Sequence, residues 1–407
     1  MTPVPGDAYD SVLQTPHNGQ LGGNKVVMHP YISRRHLLGG SAAIVAGTLG
    51  SKPSHAASTL AVVDTVSGPN FQAFWKTYLI PTITRQTGID IKYTVGSGPP
   101  LQLQMQSWRD GEPGFSLMFL KDLDLANMVA AGTKFEPLYP AREKEIPNQK
   151  LIPKEYDEVD SGVALHGAGL LFWRAQFGLI HNTNFVKSPP KTWGEWFDRR
   201  AEFKGHIGFV RTDAGSGGGR AFMYAFLAAN GVDFKKPFAD LQSAPEWKKG
   251  LERFTEFSRN FAQPVASEPP VMFHQFQTEQ VWITSYAQDY SLWSAEQGQL
   301  PPTTRSTPLD VNIIGASNSY LSVPAVDSPQ QKTDAYKVID VLLSDEVQLH
   351  MLETMYQYPG TDAWKKAPAK VWDKIAPVDV AQARGITMTN IEAITFIQKH
   401  GMEYVAS

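Results

Sequence analysis

The stretch LAVVDTVSGPNFQAFWKTYLIPTITRQTGIDIKYTV, residues 60–95, predicts a strand, a helix and a second strand in that order. It opens on a short apolar run that ends at a polar loop. Apolar residues then recur at helical spacing, and we expect Pro81 to kink or split this helix and Gly88 to end it. Residues 89–95 alternate between apolar and polar side chains, which is the pattern of a half-buried strand.

The alternation of strands and helices continues beyond this stretch. A helix is predicted at residues 101–108, an apolar strand at 115–120 and another helix that ends at Gly132. Alternating elements of this kind form a parallel sheet covered by helices, and a second such set starts at residue 169. About 350 residues remain after the N-terminal leader described below, and these are too many for one core. We therefore expect an α/β fold of two lobes, each a mainly parallel sheet flanked by helices, joined by a hinge.

The N-terminal residues have the layout of an export signal. Arg34 and Arg35 precede a short, mildly apolar stretch, and small residues follow up to Ala56. This is the order of a secretory signal peptide, and the paired arginines indicate the twin-arginine route. We therefore expect residues 1–56 to be a leader that is cleaved after Ala56, with Met28 as a candidate for the true start. The alternative is a chance Arg-Arg pair before a buried helix.

Composition narrows the compartment and the class of partner. Cysteine is absent from the sequence, which excludes disulfides, thiolate metal sites and a lipoprotein anchor. No apolar run is long enough to span a membrane, so we expect a soluble periplasmic protein with no stable membrane anchor. The formal net charge of −3 argues against nucleic acid as a partner. Aromatic residues make up 11% of the chain and leave rings to spare for a ligand cleft.

The predicted elements divide the chain as follows. Lobe 1 comprises residues 57–165 together with about 300–360, and lobe 2 comprises residues 166–299. A C-terminal helical tail, residues 361–407, packs on the lobes. We expect the Pro-rich region at about 135–165 to cross between the lobes.

Motifs of the common enzyme classes are missing from the sequence. It contains no G-x-S-x-G, no Walker A sequence and no H-E-x-x-H. The run GSGGGR fails the dinucleotide-binding pattern G-x-G-x-x-G, because Arg220 stands where the last glycine should be. A carboxylate pair for glycoside hydrolysis stays open. We predict no catalytic residue, no metal site and no cofactor.

Glycine-rich and hydroxyl-rich loops follow several of the predicted strands. In open α/β sheets, ligands bind at the carboxyl ends of the strands, where helices begin. Glycine there allows the backbone to approach a ligand, and free N–H groups favour anionic or acceptor groups. The alternative for the run TDAGSGGGR is a simple helix start, capped by Ser216 or Asp213. Four loops stand out on this basis: residues 65–68, 96–98, 212–219 and 285–286.

The order of these features resembles a known family. Residues 178–183 read Gly-hydrophobic-x-x-Asn-Thr, residues 189–193 read Pro-Pro-x-x-Trp, and a strand follows that leads into the glycine-rich loop. The chain resembles, over residues 59–360, an extracellular solute-binding protein of a bacterial ABC importer with the type II periplasmic-binding-protein fold. Within that fold it is most similar to the branch for polyamines, thiamine, iron and related solutes.

The resemblance implies a function and a set of contacts. It implies a monomer, not an enzyme, that closes two lobes on a small-molecule solute and delivers it to a cognate permease and its ATPase. Trp75 and Trp173 are either aromatic walls of the cleft or core residues, and Arg220 either faces the ligand or pairs with Asp213. The ligand-binding residues that the resemblance implies are Ser67, Gly96, Ser97, Thr212, Asp213, Ser216, Gly217, Ser285, Tyr286 and Tyr358.

The sequence departs from the polyamine-binding members, which hold diamines with several carboxylates and aromatic rings. Here only Asp213 stands in a predicted ligand loop, so loops rich in Gly, Ser and Thr favour a solute with anionic or neutral acceptor groups. Two other functions stay open. One is an exported two-lobe enzyme that uses Asp213, Tyr286 or His166, and the other is a binding protein that docks on a sensory receptor.

Overall fold

The computed structural model describes residues 58–96, 114–153, 159–160, 163–314 and 318–406. The predicted signal peptide with Met28 and Ala56, the predicted helix at 101–108 and the predicted ligand residue Ser97 lie outside this range.

Strands and helices alternate along the described chain, as the sequence predicts for an α/β protein. The described strands are β1 (Thr59–Asp64), β2 (Asp90–Val95), β3 (Leu117–Lys121), β4 (Val159–Asp160), β5 (Val163–Ala164), β6 (Leu170–Arg174), β7 (Phe177–Asn182), β8 (Ile283–Ala287), β9 (Thr304–Thr307), β10 (Asn312–Ile313), β11 (Ser319–Ser322), β12 (Tyr358–Pro359) and β13 (Gly385–Ile386). The described α-helices are α1 (Pro69–Phe74), α2 (Ile80–Thr87), α3 (Asp122–Ala130), α4 (Trp193–Asp198), α5 (Gly218–Ala229), α6 (Phe238–Ser243), α7 (Pro245–Ser258), α8 (Pro269–Gln277), α9 (Gln288–Glu296), α10 (Pro329–Leu342), α11 (Asp345–Met355), α12 (Val378–Ala383) and α13 (Ile391–His400).

The predicted kink at Pro81 takes the form of a π-helical turn. This turn, Trp75–Leu79, separates α1 from α2, and the N–H of Ile80 donates to the carbonyl of Trp75. Pro81 is the second residue of α2, which directly follows the π-turn, so its missing N–H falls where the helical hydrogen-bond register changes. Gly88 ends α2 in the left-handed conformation with φ 71°, as predicted.

Among the described strands, six form one sheet in the order β12-β6-β11-β3-β1-β2. The predicted parallel pairing is present, because β1 runs parallel to both β2 and β3. The strands that return later in the chain reverse direction: β11 is antiparallel to β3 and β6, and β12 is antiparallel to β6. This sheet is therefore more mixed than the mainly parallel sheet we expected.

A second, smaller sheet has the order β8-β7-β9, with antiparallel neighbours throughout. The strand that the sequence predicts at residues 206–210 is reduced to parallel bridges from Ile207 to Phe261 and Ile283 and from Val210 to Ala266. Short pairs β4–β5 and β10–β13, with antiparallel bridges from Phe135 to Pro324 and from Gln176 to Ile314, complete the described pairing.

Each of the two larger sheets has its own hydrophobic core. The first core contains Trp75, Phe119 and Phe172, and the second contains Trp193 and Phe222. A smaller cluster that includes Leu292, Leu352, Tyr358 and Val378 lies apart from both. The α/β organisation in two lobes is thus confirmed.

The chain crosses between the two sheets at positions that differ from the predicted boundaries. Residues 170–174, expected in lobe 2, form β6 of the six-stranded sheet, and residues 304–307, expected in lobe 1, form β9 of the smaller sheet. The apolar β6 suits either core and the short polar β9, Thr-Arg-Ser-Thr, selects neither, so composition alone could not assign them. The two crossings are tied together, because the N–H of Ala175 donates to Oδ1 of Asn318 at 3.0 Å. In the tail, Ile394 and Ile397 of α13 pack into the second core.

Candidate functional site

A cleft of about 350 Å³ is lined by residues of both sheets. It lies at the carboxyl ends of β1, β3 and β8, where a ligand site is expected in an open α/β sheet. Its volume falls within the range of small-molecule sites, which begins at about 300 Å³. The lining residues that the argument below uses are Ser67, Asn70, Phe71, Lys121, Trp173, Phe177, Ser216, Tyr286, Ala287, Asp289 and Tyr290.

The loop after β1 is held by a buried carboxylate. Asp64 accepts hydrogen bonds from the backbone N–H groups of Val66 (2.9 Å) and Ser67 (2.8 Å) and from the hydroxyl of Tyr93 (2.6 Å). Burial raises the pKa of Asp64, and these hydrogen bonds oppose that rise. Asp64 therefore fixes the loop that presents Ser67 to the cleft.

The glycine run on the opposite side serves the packing of α5. Gly217 begins this helix in the left-handed conformation, with φ 76°. A Cβ at Gly218 would lie 2.3 Å from Cε2 of Tyr286, and a Cβ at Gly219 would lie 2.0 Å from the carbonyl oxygen of Val210. Glycine is needed at both positions because an aromatic ring and a backbone carbonyl approach the helix start closely. Ser216, just before the run, lines the cleft but does not cap the helix.

Asp213 and Arg220 lie outside the cleft lining, which corrects both predicted alternatives for Arg220. Asp213 is half exposed and pairs with Arg211 at 2.7 Å, and this pairing lowers the pKa of Asp213. Arg220 donates from Nη1 to the carbonyl oxygens of Thr212 (3.1 Å) and Ala214 (2.8 Å). Arg220 thus stabilises the loop through its backbone carbonyls and neither faces a ligand nor pairs with Asp213.

Of the predicted ligand residues, the cleft brings together Ser67, Ser216 and Tyr286. Ser285 is buried on the other face of β8 from Tyr286, as strand alternation requires. Tyr358 points into the small third cluster, where its hydroxyl donates to the carbonyl of Ala376 at 2.6 Å. The other described members lie outside the lining: Gly96, Thr212, Asp213 and Gly217.

Aromatic rings form one wall of the cleft. Trp173 lies against Phe71, with 3.8 Å between the ring centroids, and both line the cleft. Phe177 and Tyr286 form an edge-to-face pair with centroids 5.7 Å apart. Trp75, the other predicted wall residue, is fully buried in the first core instead.

Two charged residues of the lining were missed by sequence reasoning. Asp289 lies in the first turn of α9, half-buried, and accepts a hydrogen bond from Nδ2 of Asn70 at 3.2 Å. Burial raises the pKa of Asp289 to about 6, although hydrogen bonds from Tyr290 and Asn70 oppose the shift. Lys121 is the last residue of β3 and is also half-buried. Their position in the sequence could have identified both residues, since each is a charged residue at the carboxyl end of an apolar strand.

A two-lobe α/β architecture with a ligand-sized cleft at the strand ends is typical of proteins that bind small molecules. Residues 79–382 match the model of the family described as bacterial extracellular solute-binding protein, and the chain belongs to this family. No curated protein matches the chain in sequence. Of the described helices, none has the length and apolarity to cross a membrane. Among the residues that the structure describes, no cluster of three or more His, Asp or Glu side chains could hold a metal ion.

Solved structures share the fold at low sequence identity. An ABC transporter solute-binding protein from Thermotoga lettingae TMO, bound with α-D-tagatose, is 16% identical with a TM-score of 0.69; the match covers 86% of this chain and 95% of that one. The spermidine/putrescine ABC transporter substrate-binding protein PotD from Streptococcus pneumoniae is 13% identical with a TM-score of 0.66, covering 86% and 100%. An ABC transporter substrate-binding protein from Bradyrhizobium japonicum USDA 110 is 13% identical with a TM-score of 0.64, also covering 86% and 100%.

Proposed function

We propose that this protein is the solute-binding component of an ABC import system, exported by the twin-arginine route to the periplasm. It captures one small solute in the cleft and delivers it, as a monomer, to a permease and its ATPase. The observation that carries the proposal is the cleft itself, because its lining comes from both cores at the ends of β1, β3 and β8.

Closure of the two cores on the solute supplies the signal for delivery. Ser67 and Trp173 belong to the first sheet's side of the cleft, and Ser216 and Tyr286 belong to the second. A solute that contacts both sides binds the closed form more tightly than the open form, and this difference in affinity drives closure. A permease that recognises the closed form then distinguishes loaded from empty protein.

The solved relatives do not identify the solute of this protein. One of them is bound with a sugar and another is a spermidine/putrescine-binding protein, and these ligands differ in charge. At 13–16% identity these relatives share the fold of this chain, and their ligands are their own. The solute of this protein has to be argued from its own cleft.

Native mass spectrometry of residues 57–407, purified from a bacterial periplasm without refolding, tests the proposal. We expect one small molecule per chain. We expect the mass of this molecule to be the same before and after incubation with the protein, as binding without turnover requires. In the variant Ala287→Trp an indole fills the cleft, so the molecule should be lost. The matched variant Ala131→Trp places the same ring on the exposed end of α3 and should retain it.

A bare protein that no sugar, amine, amino acid or anion stabilises in a thermal-shift screen would contradict solute binding. Chemical conversion of the bound molecule would instead support the exported-enzyme alternative.

A further inference from the structure

Among the described residues that line the cleft, one is acidic and one is basic, and the two do not form an ion pair. Asp289 lies on α9, which follows β8 of the smaller sheet, and Lys121 ends β3 of the six-stranded sheet. Both line the same cavity. Each charge therefore faces the space that a solute would occupy, from a different sheet.

Asp289 has hydrogen-bond partners but no cation. Its carboxylate accepts from Nδ2 of Asn70, and in the described part of the chain no Lys, Arg or His nitrogen lies within 4.0 Å of it. The rings of Tyr286 and Tyr290, which also line the cleft, displace water around it. A carboxylate in such surroundings is stabilised when a cationic group enters and pairs with it.

Lys121, in turn, has no anionic partner among the described residues. No carboxylate oxygen of the described residues lies within 4.0 Å of its ammonium group. Burial raises the pKa of Asp124, the nearby charge of Lys121 opposes that rise, and Asp124 accepts a hydrogen bond from the hydroxyl of Thr65 at 3.0 Å. Lys121 thus makes no direct ion pair with a described residue, and its ammonium can pair with an anionic group of the solute.

On the basis of the proposed function, we propose that the solute is a small zwitterion, with its cationic nitrogen at Asp289 and its carboxylate or other anionic group at Lys121. The aromatic rings of Phe71 and Trp173 pack against the carbon chain between these two charges. A diamine would place a second cation against Lys121, and a dicarboxylate would place a second anion against Asp289, so both are disfavoured by like-charge repulsion. This replaces the anionic or neutral solute that the loop composition favoured.

Three four-carbon compounds with different charged groups at their ends test the proposal: 1,4-diaminobutane, 4-aminobutanoate and succinate. A ladder of ω-amino acids from glycine to 6-aminohexanoate then varies the distance between the two charges. Titration calorimetry and thermal shift are measured on folded, solute-free residues 57–407 near neutral pH. We expect at least one ω-amino acid to bind and stabilise the protein, and we expect the diamine and succinate to do neither.

Charge-neutralising variants locate the two contacts. Asp289→Asn and Lys121→Gln should each weaken binding of the best ω-amino acid by roughly tenfold to hundredfold, the range for a hydrogen bond to a charged group. Lys121→Gln should also admit the diamine, and Asp289→Asn should admit succinate, because each removes the repelling charge. The matched variants Asp90→Asn and Lys76→Gln change exposed residues outside the cleft lining and should bind as the parent does.

Binding of the diamine or succinate alone would overturn the zwitterion and leave the solute-binding function intact, as would a sugar as the co-purified molecule. Unchanged affinity in either cleft variant would overturn the assigned contact. If no ω-amino acid binds, the inference fails; if no solute of any class binds, the proposed function fails with it.

Discussion

At the scale of single residues, Asp289 makes the stability of the empty protein depend on pH. Burial raises its pKa to about 6 in the folded protein, from 3.8 in the unfolded chain. An acid whose pKa is raised by folding stabilises the fold while it is protonated, and this contribution is lost as pH rises from about 4 to about 6. The neighbouring Tyr286 and Tyr290 have raised pKa values and stay neutral in this window.

The variant Asp289→Asn isolates this effect, because it removes the charge and keeps an oxygen for Asn70. We expect the solute-free variant to match the parent in the free energy of unfolding near pH 4. Near pH 8 it should exceed the parent by up to about 3 kcal/mol, since one pKa unit corresponds to about 1.4 kcal/mol. Urea unfolding across this range measures the difference. A difference that is independent of pH, or one shared by Asp90→Asn, would contradict the assignment.

The residues of the cleft were predictable only in part. Ser67, Ser216 and Tyr286 follow from strand ends and from the resemblance, since loops at strand ends face a ligand cleft in this fold. The glycine run was predicted to approach a ligand, yet its glycines make room for Tyr286 and Val210. The sequence shows that glycine is needed there, and it does not show which neighbour needs the space.

At the scale of elements, the start of α10 distinguishes the sequence-based expectation from the structure. The sequence pattern favours Thr333 as the N-terminal cap of one long helix. In the structure the helix begins earlier, and Oγ of Ser328 accepts a hydrogen bond from the N–H of Gln331 at 3.3 Å. The expected long helix is also interrupted, because Ser344 caps α11 separately.

A pair of alanine variants tests this assignment. Ser328→Ala removes a cap and should lower the free energy of unfolding by about 1 kcal/mol. Thr333→Ala lies on the exposed face inside α10 and should leave stability unchanged or slightly higher, because alanine has the higher helix propensity. Urea unfolding at one pH compares the two. A larger loss for Thr333→Ala would place the helix start where the sequence suggested.

The strands β1, β2 and β3 of the first sheet were predicted correctly because their signals are local. The helical spacing before Gly88 and the alternation of residues 89–95 depend on neighbours along the chain. The reduced strand at residues 206–210 is different. Its apolar side chains indicate burial, but whether they extend a ladder depends on Phe261 and Ile283, far away in sequence.

At the scale of the whole molecule, the two crossings between the sheets form a linked pair. The buried N–H of Ala175 has the side chain of Asn318 as its acceptor, so a change at one crossing is felt at the other. Motion of one core relative to the other must bend the chain at these positions.

Asn318→Ala should therefore loosen the connection. It leaves the N–H of Ala175 without its acceptor, which costs about 1–3 kcal/mol for a buried donor. Hydrogen exchange at the amides next to Ala175 should accelerate, while exchange at α5 stays as in the parent. Asn184→Ala, an exposed change in the second lobe, serves as the control. Equal exchange in the two variants would show that the crossings are not coupled through this bond.

The division of the chain between the two cores could be predicted only in outline. Length and the repeated α/β pattern indicate two lobes, and the structure has two. The sheet to which β6 or β9 belongs could not be predicted, because the apolar β6 suits either core and the short polar β9 has no pattern that selects a sheet. The position of each strand is decided by partners that lie more than a hundred residues away in sequence, such as β11 for β6.

The return of the chain to its starting sheet has a consequence for how the protein is made. The first sheet receives β11 and β12 only after the whole second sheet has been synthesised, and the second core receives Ile397 only from α13. A nascent chain on the ribosome therefore exposes unfinished apolar surface of the first core until β12 emerges, and of the second core until α13 emerges. Neither core can complete its native packing before those elements are made, and apolar surface exposed in that interval is prone to non-native association.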